Sequence, residues 1–81
     1  MIYKYYLEPY EPTVLELPEV FQVLSIQRQS SSICVWIDVD LDSGMDEVTF
    51  YPIMTGCSPE PGMLYIATIQ TQDGLVVHYY V

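Results

Sequence analysis

At 81 residues the chain has room for one domain, and a domain of that size buries only roughly 60–65% of the surface its unfolded chain exposes. Eleven Asp and Glu side chains stand against two Lys and Arg, a net charge of −9, while 51% of the residues are apolar. The apolar share excludes a disordered acidic tail, and the charge excludes direct binding to nucleic acid or to an anionic lipid surface.

Taken in chain order, Ile2 to Leu7 is aromatic and reads as a strand. Glu8-Pro9-Tyr10-Glu11-Pro12 is a stiff connector, because each proline lacks an N–H and restricts the residue before it. Thr13 to Leu17 alternates, is ended by Pro18, and predicts a short edge strand. Phe21 to Gln29 follows, with Leu24 and Ile26 expected on one face and Ser25 and Gln27 on the other. Ser30-Ser31-Ser32 makes a turn. Beyond it, Ile33, Val35, Ile37, Val39 and Leu41 are expected to share one face, and Cys34, Trp36, Asp38 and Asp40 the other. That period of two over nine residues is a strand signature, and it pairs with the preceding segment as a hairpin. Asp42-Ser43-Gly44 is the next turn, Glu47 to Met54 a fifth strand, and Thr55 to Gly62 a loop with two glycines and two prolines. Leu64 to Thr71 and Leu75 to Val81 pair around Gln72-Asp73-Gly74, where Asp-Gly is a strong hairpin signal. Only Pro18 to Phe21 has room for a helical turn. The pattern predicts an all-β domain, a small antiparallel sandwich or partly open barrel of about seven short strands.

Targeting and redox signals are sparse. The alternating start is followed by acidic, proline-containing sequence rather than an apolar signal region, and no run approaches the ~20 apolar residues of a membrane span. The expectation is a cytoplasmic chain with no membrane partner. Cys34 and Cys57 lie 23 positions apart without C-x-x-C spacing, and they read as two reduced thiols in preference to a disulfide. One histidine and two distant cysteines do not make a closed zinc set.

The order of segments resembles a family of small uncharacterised proteins encoded by bacteriophages and by bacteria, many of them prophage-borne. Its pattern is a Lys-Tyr opening, a Leu-Pro, an Ile-Leu-x-Val-Gln-x-Gln strand, a Cys-Leu-Trp strand ending at Val-Asp, a Gly-Thr-Gly loop and a closing aromatic hairpin. Here Lys4-Tyr5, Leu17-Pro18, Val23 to Gln29, Cys34-Val35-Trp36 with Val39-Asp40, Met54-Thr55-Gly56, Tyr65 to Gln70 and Val77-His78 occupy those places. Cys57 stands where the family loop carries a histidine, and Val77 where it carries a tryptophan. The resemblance implies a viral or prophage origin and an all-β fold, and it implies no activity; with such an origin the expected cytoplasm is that of the host cell.

Two constellations bear on chemistry. Asp38, Asp40, Asp42, Asp46 and Glu47 form the densest acidic cluster. A calcium loop counted from Asp38 would need Gly at its sixth position and Glu at its twelfth, where Ser43 and Thr49 stand. A solvated strand end, an acidic patch for a partner, and a weak hard-cation site are the three readings of this cluster. Eight tyrosines are the second feature, with strand-filling core and interface roles as the alternatives. Stacked bases would need a cationic groove that Lys4 and Arg28 cannot supply. His78 reads as a half-buried strand residue, and no nucleophile motif or phosphate loop accompanies it. The sequence therefore predicts a non-catalytic interaction protein with no cofactor and no metal. Asp38, Asp40, Asp42, Asp46 and Glu47, with Trp36 and Tyr51 as anchors, would face a host protein with a basic surface. Such a face would mimic nucleic acid, as an anti-defence inhibitor (of a CRISPR effector, for example) would. The alternatives are a homo-oligomeric binder of a nucleotide signal and a structural part of a virion.

Overall fold

Strand-forming residues run between turns built on Pro, Gly, Ser and Asp, so every element is short. The computed structural model describes residues 1–81, and the chain forms seven strands and no helix. They are β1 (Ile2–Leu7), β2 (Thr13–Pro18), β3 (Phe21–Gln29), β4 (Ser32–Val39), β5 (Met45–Met54), β6 (Tyr65–Gln70) and β7 (Val76–Tyr80). There is thus no helix long and apolar enough to cross a membrane.

Two antiparallel sheets result, in the orders β1-β4-β3 and β2-β5-β7-β6. They stack without closing into a barrel, and the molecule measures 39 × 32 × 17 Å. The register fixes which residues face inward. Tyr3, Tyr5 and Leu7 lie opposite Ile37, Val35 and Ile33, so the inner face of the first sheet is apolar. In the second sheet Leu15 opposes Val48 and Thr13 opposes Phe50, while Met54 and Pro52 oppose Val77 and Tyr79. Leu17, Val35, Ile37, Phe50, Val77 and Tyr79 are wholly buried between the sheets. Burying each such side chain contributes about 1.5–3 kcal/mol, but only 13 of the 81 residues are buried, so the margin is thin.

Three details depart from simple alternation. A bulge between Val23 and Ser25 in β3 inserts Leu24 as an extra residue. Val23 and Ile26 then carry the inner face and Leu24 is left 45% exposed, which overturns its expected pairing with Ile26. Leu41 does not continue the β4 core stripe, because the strand ends at Val39 and the chain turns, leaving Leu41 52% exposed. Pro18 is the last residue of β2 rather than its terminator; it opposes Met45 and is buried. Both cysteines are free, Cys34 buried and Cys57 exposed.

The connections divide the sandwich into two ends. At one, the β2–β3 and β4–β5 turns are bound together: the Glu19 N–H donates to the Gly44 carbonyl at 2.6 Å, the Asp40 N–H to the Val20 carbonyl at 3.0 Å, and the Val20 N–H to Ser43 Oγ at 3.2 Å. At the other end the β1–β2 connector meets the β6–β7 turn. There Tyr79 of β7, fully buried, donates its hydroxyl to the Glu8 carbonyl at 2.9 Å.

Candidate functional site

The bound pair of turns gathers carboxylates that lie far apart in sequence. Glu16 and Glu19 arrive from β2 and its turn, Asp38, Asp40 and Asp42 from β4 and its turn, and Asp46 and Glu47 from the start of β5. Seven of the eleven carboxylates therefore occupy one end, and neither Lys4 nor Arg28 does. Lys4 Nζ lies 5.4 Å from the Tyr6 ring centroid and donates to Gln29 Oε1 at 3.0 Å. Arg28 donates to the Thr71 carbonyl at 3.0 Å, at the opposite end.

Within the acidic end, local hydrogen bonds set the turns. Asp40 Oδ1 accepts from the Asp42 N–H at 3.0 Å, and Ser43 Oγ donates to the Asp40 carbonyl at 2.7 Å. Asp46 Oδ1 accepts from the Glu47 N–H at 2.8 Å. Asp38 makes the one salt bridge of the chain, with the Met1 amino group at 2.9 Å. Glu16 and Glu47 lie directly opposite one another across β2 and β5. Like charges in that position destabilise a sheet by roughly 0.2–1 kcal/mol. The carboxylates point to solvent, and no three of them, with or without His or Cys, are brought together as a metal ion requires.

The sequence-predicted residues are thus divided. Asp38, Asp40, Asp42, Asp46 and Glu47 share the end, but the two aromatic anchors lie on opposite outer faces of the sandwich. Trp36, half-buried, sits two residues from Asp38 on the outer face of the first sheet, flanked by Lys4 and Ser25. Tyr51, also half-buried, lies opposite Tyr80 on the outer face of the second. Between the carboxylates the structure instead exposes Val20 at 60%, Leu41 at 52% and Met45 at 62%. Sequence reasoning missed these apolar residues, together with Glu16 and Glu19. The signal for Val20 and Met45 was their place beside turn residues, where an apolar side chain has no core to enter.

The opposite end carries a shallow cleft of about 310 Å³ lined in part by Tyr10, Ile33, Thr71 and Asp73. Thr71, buried, donates its hydroxyl to Asp73, and Tyr10 donates to the same carboxylate at 2.9 Å. Those two hydrogen bonds, Thr71 first, hold the Asp73 carboxyl below the usual range. Donation to Asp73 and partial desolvation raise the Tyr10 phenol. Desolvation raises Tyr5 and, far more strongly, Tyr79, with Glu8 and Tyr10 adding to the latter. On the outer face of the second sheet, His78 is clamped between Thr55 Oγ1 and Thr68 Oγ1, each at 2.9 Å, and Tyr65 hydrogen-bonds Thr68 at 2.8 Å. His78 is half-buried, as its place in an amphipathic strand predicts. Threonine hydroxyls therefore bond both of its ring nitrogens.

This is an acidic, two-sheet antiparallel β-domain with its charge concentrated at one end. A family model described as a domain of unknown function (DUF7352) matches residues 1–81, and the chain belongs to that family. No curated protein and no solved structure matches it.

Proposed function

We propose that the chain is a non-catalytic interaction protein whose acidic end docks onto a basic surface of another protein. The observation that carries this reading is the collection of seven carboxylates at one end of the fold, both cationic side chains lying elsewhere. Concentrated charge of one sign steers encounter with a complementary surface and suppresses wrong partners. Met45, Leu41 and Val20 supply apolar contact area among the carboxylates, with Trp36 at the border beside Asp38.

A protein surface built to hold phosphates is the fitting target, because carboxylates can stand where phosphates bind. With the phage-type resemblance of the motifs, this makes the chain an anti-defence inhibitor acting on a nucleic-acid-handling protein of the host cell. A binder of a nucleotide signal would need cationic donors, and only Arg28 lies near the cleft, its guanidinium already directed to Thr71.

The test is capture from host lysate with wild-type protein and with a variant carrying D40N, D42N, D46N and E47Q, at low and high salt. The reading expects a basic, nucleic-acid-handling protein held by the wild type at low salt and lost with either change. Equal capture by both proteins at both salts would overturn it.

A further inference from the structure

The edges of the two sheets differ in how they are protected. β2 is flanked by Pro12, ends at Pro18 and carries Glu16. β3 and β6 lie against one another across the sandwich, and each is broken by a bulge. Bulges, prolines and charges are the devices that keep a strand edge from pairing with another chain. β1 has no proline and no bulge; its one charge, Lys4, is drawn back to Gln29 Oε1 and the Tyr6 ring, and the strand exposes Ile2 at 58% and Tyr6 at 61%.

The hydrogen-bond pattern shows which groups that edge offers. Met1 and Val39 exchange both main-chain bonds, at 3.0 and 2.9 Å. The antiparallel register then runs unbroken, so Tyr3, Tyr5 and Leu7 direct their N–H and C=O to β4. Ile2, Lys4 and Tyr6 direct theirs outward, to the open edge.

We propose that β1 pairs antiparallel with β1 of a second copy of this chain, about a two-fold axis at Tyr5, to make one six-stranded sheet. The register follows from elimination. Keeping both inner faces on the same side allows axes at Tyr3, Lys4, Tyr5 or Tyr6. An axis at Tyr3 overlaps the strands only at their starts and brings the two acidic ends alongside each other, each Asp38 one residue from the axis. An axis at Lys4 sets two ammonium groups opposite each other. An axis at Tyr6 needs the Glu8 main chain, whose N–H is bonded to Thr13 Oγ1 at 2.9 Å and whose carbonyl is bonded to Tyr79. The Tyr5 axis lets Lys4 and Tyr6 exchange main-chain bonds with the second copy's Tyr6 and Lys4, and places each ammonium beside a phenol ring.

Charge does not oppose a like partner at this edge. Asp38 pairs with Ile2, three residues from the axis, so the two Asp38 side chains stand roughly 20 Å apart along the strands alone, at ~3.4 Å per residue. The turns beyond them, with most of the acid, lie farther out at opposite extremes. That exceeds the Debye length of about 10 Å at 0.1 M salt, so the acidic ends of the dimer barely sense each other. They also remain free at its two tips.

Sedimentation equilibrium up to about 1 mM, where even a millimolar contact would show, and amide exchange by NMR test the proposal together. The expected species has twice the 9.3 kDa mass of the chain, with the Lys4 and Tyr6 amides protected along with those of Tyr3 and Tyr5. Lys4→Pro removes an outward N–H and leaves the β4 ladder whole; Tyr6→Lys sets ammonium groups opposite each other. Each variant should weaken association at least about tenfold while the Tyr3 and Tyr5 amides stay protected, and Tyr6→Lys carries the test should the proline variant fail to fold. A 9.3 kDa wild type throughout, or a dimer whose Lys4 and Tyr6 amides exchange freely, would overturn the proposal.

Discussion

Tyr79→Phe removes one oxygen from the centre of the fold, and its cost should depend on pH in a way the structure dictates. The Tyr79 ring is wholly buried, and its hydroxyl ties β7 to the β1–β2 connector through the Glu8 carbonyl at 2.9 Å. Losing that bond costs about 1–2 kcal/mol at neutral pH, because the carbonyl loses its partner. For 81 residues the unfolding entropy is roughly 170 cal/mol/K, so the melting temperature should fall by about 6–12 °C. Burial raises the Tyr79 phenol well above its ordinary value of 10.0. A raised folded-state value stabilises the fold fully below pH 10, and that stability is lost as pH climbs, since only the unfolded tyrosine ionises. At pH 11 the loss reaches about 1.4 kcal/mol for wild type and zero for the phenylalanine variant. The other seven tyrosines titrate in both proteins and cancel in the difference. Thermal melts of the pair at pH 7, 9, 10 and 11 should therefore converge above pH 10. A gap that stays constant to pH 11 would refute the buried, neutral phenol.

Three further outcomes follow from the charge and the turns. Glu47→Lys turns the like-charge pair with Glu16 into an opposite-charge pair and should raise stability by about 0.5–1 kcal/mol in denaturant melts, while weakening partner capture. Raising salt from 10 mM to 1 M shortens the Debye length from about 30 to 3 Å, so the melting temperature should rise by several degrees; a flat response would mean that self-repulsion is not felt. Gly74 sits at φ +87° in the β6–β7 turn, so Gly74→Ala should cost about 1 kcal/mol by chemical denaturation, although open space surrounds the added methyl.

The strands were legible where a single periodicity ran between strong punctuation. The expected Ile2 to Leu7 and Phe21 to Gln29 coincide with β1 and β3, and the Asp73-Gly74 turn joins β6 and β7. The seven antiparallel strands form the predicted all-β sandwich, in its unclosed form. Leu24 was misplaced because a bulge shifts every later side chain to the other face, and nothing local in Val23-Leu24-Ser25 announces one. Leu41 fitted the alternation of β4 perfectly; only the turn after Val39, set by its bonds to the β2–β3 turn, takes it out of the core. The acidic cluster was readable over Asp38 to Glu47 because those residues are neighbours in sequence. Glu16 and Glu19 join it through strand pairing and a turn-to-turn hydrogen bond, which no window of sequence contains. Trp36 and Tyr51 looked like anchors by residue type, but sheet assignment put them on opposite outer faces.

The most direct test of the acidic end as a docking face is the association rate of the protein with its captured partner across a salt series. Wild type should bind quickly at low salt and slow steeply as salt rises, while the variant carrying D40N, D42N, D46N and E47Q should bind slowly with a nearly flat salt dependence. Identical rates and slopes for the two proteins would contradict the account.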